Sequence, residues 1–218
     1  MNKSALVYVV DDDLSVRDAV TDLLASVGYD VLAYSSASEF LTLLRSASKE
    51  DIDRTSCVIL DVRMPEIDGL EAQRYLLAEN IVLPVIFMTG HGDIPMAIKA
   101  MRAGASDFLE KPFRDHEILN AVRFALEQDA GNRNAKFFCS DLLERFERLT
   151  PREKLLLQKI ASGSMTKQIA SDLHLSEITI KVARRELMHK MGAKNLIDLL
   201  RLEVKLQKCR RERKICGA

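Results

Sequence analysis

The stretch Leu6-Val7-Tyr8-Val9-Val10-Asp11-Asp12-Asp13 joins an apolar run to three consecutive carboxylates near the start of a 218-residue chain. Later apolar runs each end at or beside a single polar residue, namely Asp61, Thr89 and Lys111. Short apolar runs separated by helical stretches are typical of buried strands in a parallel sheet with helices on both faces. In such open sheets the functional crevice lies beyond the carboxyl ends of the strands. The sequence therefore predicts that these carboxylates, the hydroxyl and the ammonium surround one point.

Strand and helix alternate through the first half of the chain. Apolar residues at helical spacing follow each strand, and Gly28 and Gly104 are expected to end two of the helices. Five strand–helix pairs of this kind predict an α/β fold with a doubly wound, five-stranded parallel sheet.

From Thr150 onward the apolar pattern is helical throughout. Thr150-Pro151-Arg152-Glu153 is a helix-start signature, with a capping hydroxyl, proline at the first helical position and glutamate three residues after the cap. Two further helices joined by His174-Leu175-Ser176 have the layout of a helix-turn-helix. With a last helix from Asn195 to about Lys208, the sequence predicts an all-α, four-helix domain.

The segment between these two parts, residues 128–148, is expected to be a helical linker. Gly131, Asn132 and Asn134 are predicted to interrupt its helical pattern, and an apolar stripe then runs from Phe137 to Leu149. Such a stripe is compatible with a linker that pairs with its copy in a dimer, or with one that packs on its own domain. The predicted organisation is residues 1–127, the linker 128–148, the helical domain 149–208 and a basic tail 209–218.

The formal net charge of zero hides a strong asymmetry. Residues 1–130 carry 12 Lys and Arg against 22 Asp and Glu, whereas residues 131–218 carry 20 against 10. An acidic part joined to a basic part indicates different partners, and the basic part is the candidate for nucleic acid. The basic tail is expected either to contact phosphates or to be a disordered, solvated end.

Cysteine spacing and hydropathy restrict the class of protein. The four cysteines show no spacing typical of a disulfide or a metal site. The longest apolar run, residues 81–88, is far shorter than the ~20 residues that a membrane span requires. Three aspartates directly after Val10 are incompatible with a signal peptide. We therefore expect a cytoplasmic protein with reduced thiols and no membrane contact.

The residue types at the strand ends fit phosphoryl transfer to a carboxylate. Mg²⁺ prefers oxygen ligands, and Asp12 and Asp61, with Asp11 through water, are the predicted source of them. Lys111 and Thr89 are expected to hold phosphate oxygens, while Asp61 is the predicted nucleophile that forms an acyl phosphate.

The strings around these residues resemble the receiver domain of bacterial two-component response regulators, in particular its FixJ-like branch. They are Val9-Val10-Asp11-Asp12-Asp13, Leu60-Asp61-Val62-Arg63-Met64-Pro65, Met88-Thr89-Gly90-His91-Gly92-Asp93 and Glu110-Lys111-Pro112-Phe113. The resemblance covers about the first 127 residues and implies a flavodoxin/CheY-like fold.

The resemblance also implies roles for single residues. Asp61 is the phosphoacceptor for a partner sensor histidine kinase, and the backbone carbonyl of Arg63 joins Asp11, Asp12 and Asp61 around Mg²⁺. Phe108 stands at the position of the aromatic switch residue that responds to Thr89, and Lys111-Pro112 is expected to be a cis peptide. Arg63 and His91 are expected to flank the phosphate, and the surface from Met96 to Asp107 to mediate dimerisation.

The basic part resembles the LuxR/NarL-type output domain over residues 149–205. The resemblance rests on Gly163, Lys167-Gln168-Ile169-Ala170, Leu175-Ser176-Glu177 and Thr179-Ile180-Lys181. It implies a recognition helix that begins near Glu177, with predicted DNA contacts at Lys167, Ser176, Thr179, Lys181, Arg184 and Arg185, and His189 as a further candidate. Ala183 departs from the family pattern, in which a histidine commonly stands there, so it puts the assignment of the reading residues in doubt.

Together these features predict a phosphorylation-controlled transcription factor. Its expected partners are a sensor histidine kinase, promoter DNA, RNA polymerase and a second copy of the chain. An electrostatic contact between the acidic and basic halves is a further possible control. The alternative is a constitutively dimeric DNA-binding regulator that works without phosphorylation. An enzyme is not expected, because aspartyl-nucleophile phosphatases need a second aspartate two residues after the nucleophile, where this chain has Arg63.

Overall fold

A computed structural model describes residues 4–46, 54–90 and 94–216 of the chain. The chain divides into two compact units, Met1–Arg133 and Asn134–Ala218. The division falls inside the segment that the sequence predicts to be a linker.

The first unit is built on a parallel sheet, as predicted. Its strands within the described residues are β1 (Leu6–Val10), β2 (Asp30–Tyr34), β3 (Ser56–Asp61), β4 (Val85–Thr89) and β5 (Asp107–Glu110). They lie in the order β2-β1-β3-β4-β5, and every neighbouring pair is parallel. The order reverses between β1 and β3, which makes their carboxyl ends the switch point of the sheet.

Side-chain alternation along the strands separates two apolar layers. Tyr8 and Leu60 belong to one layer, whereas Val9 and Ile59 belong to the other, and all four are buried. Because both faces of the sheet are covered, its strands read as continuous apolar runs rather than as alternating ones.

Helices cover both layers. The described helices of this unit are α1 (Leu14–Ser26), α2 (Ala37–Ser46), α3 (Gly69–Ala78), α4 (Ile94–Arg102) and the first part of α5 (Asp115–Glu147). Buried residues of α1 and α5 pack on one face, and those of α2, α3 and α4 pack on the other. Gly28 and Gly104 follow α1 and α4 with φ of 90° and 93°, as expected for residues that end helices.

The second unit is helical in the residues described. After the last part of α5 come α6 (Pro151–Ala161), α7 (Thr166–Asp172), α8 (Glu177–Met191) and α9 (Leu196–Cys216). The capping box predicted at Thr150 is present, since Glu153 N–H donates to the Thr150 hydroxyl and Thr150 N–H donates to the Glu153 carboxylate. One apolar core contains Leu142, Leu149 and residues from each of these helices.

Two helix boundaries differ from the prediction. The helix is not interrupted at Gly131, Asn132 and Asn134, because α5 runs unbroken from Asp115 to Glu147. A buried network helps to hold it there: the Asp129 carboxylate accepts the Ser56 N–H at 2.9 Å and pairs with Arg133 one turn along. Likewise α9 continues to Cys216, eight residues beyond the predicted end, so the tail is not disordered over 209–216.

The cysteines also differ from the prediction. Cys139 of α5 and Cys209 of α9 form a disulfide, with the Cα atoms 5.6 Å apart. The two residues are 70 positions apart, which is why local spacing gave no sign of the pairing. Over the described part of the chain, no helix combines the length and apolar character needed to cross a bilayer.

Candidate functional site

Two buried carboxylates and one ammonium meet at the carboxyl end of the sheet. Lys111 Nζ lies 2.6 Å from Asp11 Oδ2 and 2.6 Å from Asp61 Oδ1. Asp11 has 0 % and Asp61 5 % of its surface exposed. The Arg63 N–H donates to Asp61 Oδ2 at 2.7 Å, which fixes the other oxygen of that carboxylate. The sequence prediction that these strand ends converge is confirmed for Asp11, Asp61 and Lys111.

The electrostatics of this cluster follow from one cation serving two buried anions. Burial raises the pKa of Asp61, and the hydrogen bond and charge of Lys111 do not fully offset it because Asp11 repels a second negative charge. Burial opposes the charge on Lys111, but its hydrogen bonds with Asp11 and Asp61 raise the pKa of the ammonium. With all three groups ionised, the cluster carries one net negative charge in a poorly solvated place.

Strand register explains why these groups meet. Asp11 directly follows β1, Asp61 ends β3, and Lys111 directly follows β5. The Lys111 N–H donates to the Thr89 carbonyl at 2.7 Å, so the loop that carries the ammonium is anchored to the end of β4. The Lys111–Pro112 peptide is cis, as the resemblance implied.

The other two aspartates of the opening motif lie differently. Asp13 caps α1, since its carboxylate accepts the Ser15 N–H at 2.8 Å. Asp12 is exposed. Over the described residues, no three His, Cys, Asp or Glu side chains are grouped closely enough to hold a metal ion. The predicted ligand Asp12 is therefore not gathered with Asp11 and Asp61 in this structure.

The predicted switch residues lie beside the cluster. Thr89 is 1 % exposed at the end of β4. Phe108 of β5 is half-buried, with its ring centroid 6.5 Å from that of Phe87. Arg63 is exposed. His91, predicted to flank the phosphate, lies outside the described residues.

Gly69 is a site residue that the sequence analysis missed. It begins α3, and a Cβ atom placed on it would lie 2.3 Å from the Asp61 carbonyl oxygen. The Gly69 N–H donates to the Val62 carbonyl at 3.0 Å, which holds the start of α3 against the end of β3. A glycine beside Asp68 in a turn-rich loop was the available signal, but only the structure shows which backbone it contacts.

The second unit contains the predicted helix-turn-helix, formed by α7 and α8. His174 adopts a φ of 52° in the turn between them. Ser176 caps α8, since its hydroxyl accepts the Thr179 N–H at 3.1 Å and lies 2.8 Å from the Thr179 hydroxyl. Ile180, Leu187 and Met191 are buried, so they set the inward face of α8.

The outward face of α8 combines cations with apolar side chains. Five exposed residues lie on this face, three, four, seven and eleven positions after the first of them: Ile178, Lys181, Val182, Arg185 and His189. Ile178 is 75 % and Val182 43 % exposed. These two apolar residues were not predicted, because charge and hydrogen-bonding capacity alone do not single them out.

The remaining predicted DNA contacts are placed less uniformly. Lys167, Ser176 and Thr179 are exposed. Arg184, in contrast, is half-buried and lies next to Ala183, which packs against the apolar core. Arg184 therefore lies toward the margin of the outward face.

The last part of α5 belongs to this unit. Leu142 is 2 % exposed in its core, and the Arg145 guanidinium donates to the Met191 carbonyl at 3.2 Å, at the end of α8. Gly192 ends α8 with a φ of 72°, and a Cβ on it would overlap Arg145. Of the two interpretations of the apolar stripe, packing on its own domain is confirmed for Leu142 and Leu149, whereas Phe137 is 77 % exposed.

Two family models match the chain. The model described as "Response regulator receiver domain" matches residues 7–123. The model described as "Bacterial regulatory proteins, luxR family" matches residues 147–202. The first includes the carboxylate–ammonium cluster, and the second includes the helix-turn-helix.

Similar proteins match both units together. Nodulation protein W of Bradyrhizobium diazoefficiens is 48 % identical over 198 residues, covering 91 % of this chain and 85 % of that protein. The transcriptional regulatory protein FixJ of the same organism is 37 % identical, with 94 % and 97 % covered.

Two solved structures span both units as well. The low-resolution structure of response regulator StyR has a TM-score of 0.80 and 39 % identity, covering 93 % of this chain and all of that chain. Full-length FixJ from B. japonicum has a TM-score of 0.58 and 36 % identity, covering 94 % of this chain and 99 % of that chain.

Proposed function

The chain belongs to the two-component response regulators that carry a LuxR-type DNA-binding domain, and from that premise we propose that Asp61 is its phosphoacceptor. The donor is a phosphohistidine on a sensor histidine kinase. An Asp61 carboxylate oxygen attacks phosphorus as the phosphorus–nitrogen bond breaks, which leaves an acyl phosphate on Asp61 and returns the electron pair to the imidazole nitrogen. We place this activity in the cytoplasm.

The chain's own residues perform three tasks in this step. Lys111, held by Asp11, supplies a positive charge toward the arriving phosphoryl oxygens. The Arg63 N–H holds one Asp61 oxygen at 2.7 Å, which orients the nucleophile. The anchoring of Lys111 to Thr89 by a 2.7 Å backbone hydrogen bond keeps cation and hydroxyl together.

The net charge of these residues favours a divalent cation. Asp11 and Asp61 give the buried cluster a net negative charge that a single lysine does not offset. We propose that Asp11, Asp12, Asp61 and the Arg63 carbonyl hold Mg²⁺, with Asp12 joining from its exposed position. When bound, Mg²⁺ neutralises negative charge on the transferring phosphoryl group.

Thr89 and Phe108 connect the acceptor to the surface of the first unit. Thr89 is buried next to the cluster, and Phe108 is half-buried one strand away. We propose that Thr89 binds the phosphoryl group and that Phe108 moves into the space it leaves, which reshapes the surface between Met96 and Leu109. Such a change shifts an existing equilibrium toward a form that dimerises.

The second unit is proposed to place α8 in the major groove of promoter DNA. We propose Lys181 and Arg185 as contacts to base edges and Lys167, Ser176 and Thr179, which are exposed, as contacts to phosphates. Arg184 is proposed as a phosphate contact at the margin of the face. A dimer on a two-fold site then recruits or excludes RNA polymerase.

Ile178 and Val182 extend this proposal from charge to base methyl groups. On a groove-facing helix, exposed apolar side chains that share a face with Lys181 and Arg185 are suited to contact the thymine methyl. A duplex selected from a random library can be synthesised with deoxyuridine in place of thymidine, which lacks that methyl. We expect the wild type to lose several-fold in affinity and Ile178→Ala to lose less. An equal loss for both would exclude Ile178 as a methyl contact.

The observation that carries the proposal is the buried Asp11–Lys111–Asp61 cluster at the switch point of the sheet. Light scattering with and without Mg²⁺ and beryllofluoride, a phosphoryl mimic, tests its consequence. We expect the wild type to pass from monomer to dimer and Asp61→Asn to stay monomeric. A change of mass that Asp61→Asn retains would contradict the proposal.

A second candidate is a regulator that is dimeric without phosphorylation. It is favoured by Phe137, whose side chain is 77 % exposed on α5 beside residues that pack in the core. In that case the mass is dimeric under all conditions, Phe137→Glu produces monomers, and Asp61→Asn binds DNA as the wild type does.

A further inference from the structure

A pair of cysteines lies where two helices of the second unit meet. Cys139 of α5 and Cys209 of α9 have Cα atoms 5.6 Å apart, within the range that a disulfide bridges without backbone movement. Cys209 is 4 % exposed, whereas Cys139 is partly exposed. Cys139 therefore lies at the edge of the contact between the two helices, while Cys209 lies inside it.

Cations of α9 contact aromatic rings of α5 in the same pair of helices. Lys205 Nζ lies 4.8 Å from the centroid of the Phe138 ring, next to Cys139 in the chain. Arg210, next to Cys209, lies 5.0 Å from the centroid of the Phe146 ring. The thiolate is the form of a cysteine that reacts with oxidants.

Cys57 provides an internal contrast. It lies in β3 with 0 % of its surface exposed, and burial raises the pKa of its thiol. A buried, protonated thiol reacts slowly. The reactive arrangement is thus confined to Cys139 and Cys209 among the cysteines whose side chains the structure describes.

We propose that Cys139 and Cys209 are a peroxide-responsive thiol pair, reduced in the resting cytoplasm, whose oxidation staples α5 to α9. The Cys139 thiolate attacks one peroxide oxygen, breaking the oxygen–oxygen bond, and becomes a sulfenic acid as one water is released. The Cys209 thiol then attacks the Cys139 sulfur, a sulfur–sulfur bond forms and a second water leaves. In total two thiols lose two electrons and two protons, and the peroxide is reduced to water.

The disulfide closes a loop that contains the helix-turn-helix. The 70-residue separation contains α6, α7 and α8, so the bond ties the two ends of the segment that carries the recognition helix. Closing a long loop restricts the unfolded chain and stabilises the folded one. Peroxide therefore extends the temperature range over which the DNA-binding unit stays folded, without touching the outward face of α8.

The pairing is tested on the full-length protein, reduced with dithiothreitol, desalted and exposed to hydrogen peroxide. Remaining thiols are alkylated and located by peptide mass spectrometry. We expect Cys139 and Cys209 to lose alkylation together while Cys57 keeps it, and a peptide linked through both residues to appear. Persistence of both free thiols under excess peroxide, or a link through Cys216 or between two chains, would overturn the proposal.

The consequence is tested by thermal unfolding of the oxidised and reduced protein. An upward shift of roughly 10 °C is expected for the transition of the second unit. Cys216→Ser should keep the shift, and both Cys139→Ser and Cys209→Ser should lose it. Because Cys209→Ser alters a buried position, the decisive comparison is Cys139→Ser. Its reduced form should unfold at the same temperature as the reduced wild type. Identical unfolding of oxidised and reduced wild type would contradict the staple.

Discussion

The acceptor cluster and the outward face of α8 are both charged sites, but they are built in opposite ways. Asp11 and Asp61 are buried, and each carboxylate is held by Lys111 and by a backbone N–H. Lys181 and Arg185 project from an exposed helix face beside apolar side chains. The buried cluster is held in one arrangement by its own hydrogen bonds, whereas the cations of the helix face project into solvent.

This contrast predicts different costs for the same kind of substitution. Removing a cation from the acceptor leaves buried anions without compensation, which destabilises the fold. Removing a cation from α8 leaves the fold nearly unchanged and weakens only DNA binding. Substitutions in the first site should therefore change stability, and substitutions in the second should change DNA binding.

Lys111→Met is expected to have the largest effect on stability. In Mg²⁺-free buffer it should lower the free energy of unfolding of the first unit by about 3 kcal/mol, because two buried carboxylates then lose the cation that they share. Hydrogen–deuterium exchange of peptides from β1 and β3 in the full chain measures this, and Mg²⁺ should restore part of the loss. The exposed Lys99→Met is the matched control, and an equal loss there would remove the cluster from the explanation.

Gly69→Ala should be the next most damaging. Its Cβ would lie 2.3 Å from the Asp61 carbonyl oxygen, so the backbone that carries the acceptor has to move. We expect a loss of about 2 kcal/mol in stability and a slowing of phosphorylation by ~10-fold or more.

The control for that substitution is Gly131→Ala in α5, where an added Cβ meets no atom within 4 Å. It should stabilise the helix by about 1 kcal/mol, since alanine replaces glycine in a helix interior. If Gly69→Ala is phosphorylated at the wild-type rate, the close approach of α3 has no role in positioning Asp61.

Arg185→Ala and Arg184→Ala compare the centre and the margin of the outward face. A duplex selected by the wild type should bind Arg185→Ala about 10-fold or more weakly, with relaxed specificity at one position, if Arg185 reads a base edge. Arg184→Ala should lose only a few-fold, uniformly over sequences, with a shallower salt dependence. The reverse order, measured by fluorescence anisotropy at two salt concentrations, would move the reading role to Arg184.

Glu153→Gln tests the smallest effect, at the capping box of α6. The hydrogen bond from Lys190 lowers the pKa of Glu153, burial opposes that shift, and the Thr150 N–H and hydroxyl lower the pKa further. Stability from a carboxyl with a lowered pKa is present above its unfolded value near 4.5 and is lost as the pH falls through the folded value.

Glu153→Gln should therefore cost about 1 kcal/mol or less at pH 7, and this difference should disappear in acid. Thermal unfolding as a function of pH is the measurement. A difference that persists unchanged below the lowered pKa would assign it to packing rather than to charge.

How much the sequence could predict depends on where the determining contacts lie. Asp61 and Lys111 were predictable because strand ends in a parallel sheet converge whatever the loops do. The Thr150 cap was predictable because its partners are three residues apart. Ile178 could be identified only after it was known which side of α8 faces the core. Selecting residues by charge does not give that information.

The errors have the same physical origin. Gly131 suggested a helix break, but Asp129 and its contacts with β3 outweigh the weak helix propensity of one glycine. The Cys139–Cys209 pairing depends on two helices that are far apart in the chain. Long-range contacts decided both outcomes, and neither leaves a local signal.

We propose that phosphorylation of Asp61 controls DNA binding by α8. The most direct measurement is the affinity of the full chain for a selected duplex, before and after treatment with a small-molecule phosphodonor and Mg²⁺, with intact mass confirming one added phosphoryl group. We predict an increase of ~10-fold or more for the wild type and no change for Asp61→Asn. Equal affinities for phosphorylated and unphosphorylated wild type would contradict the account.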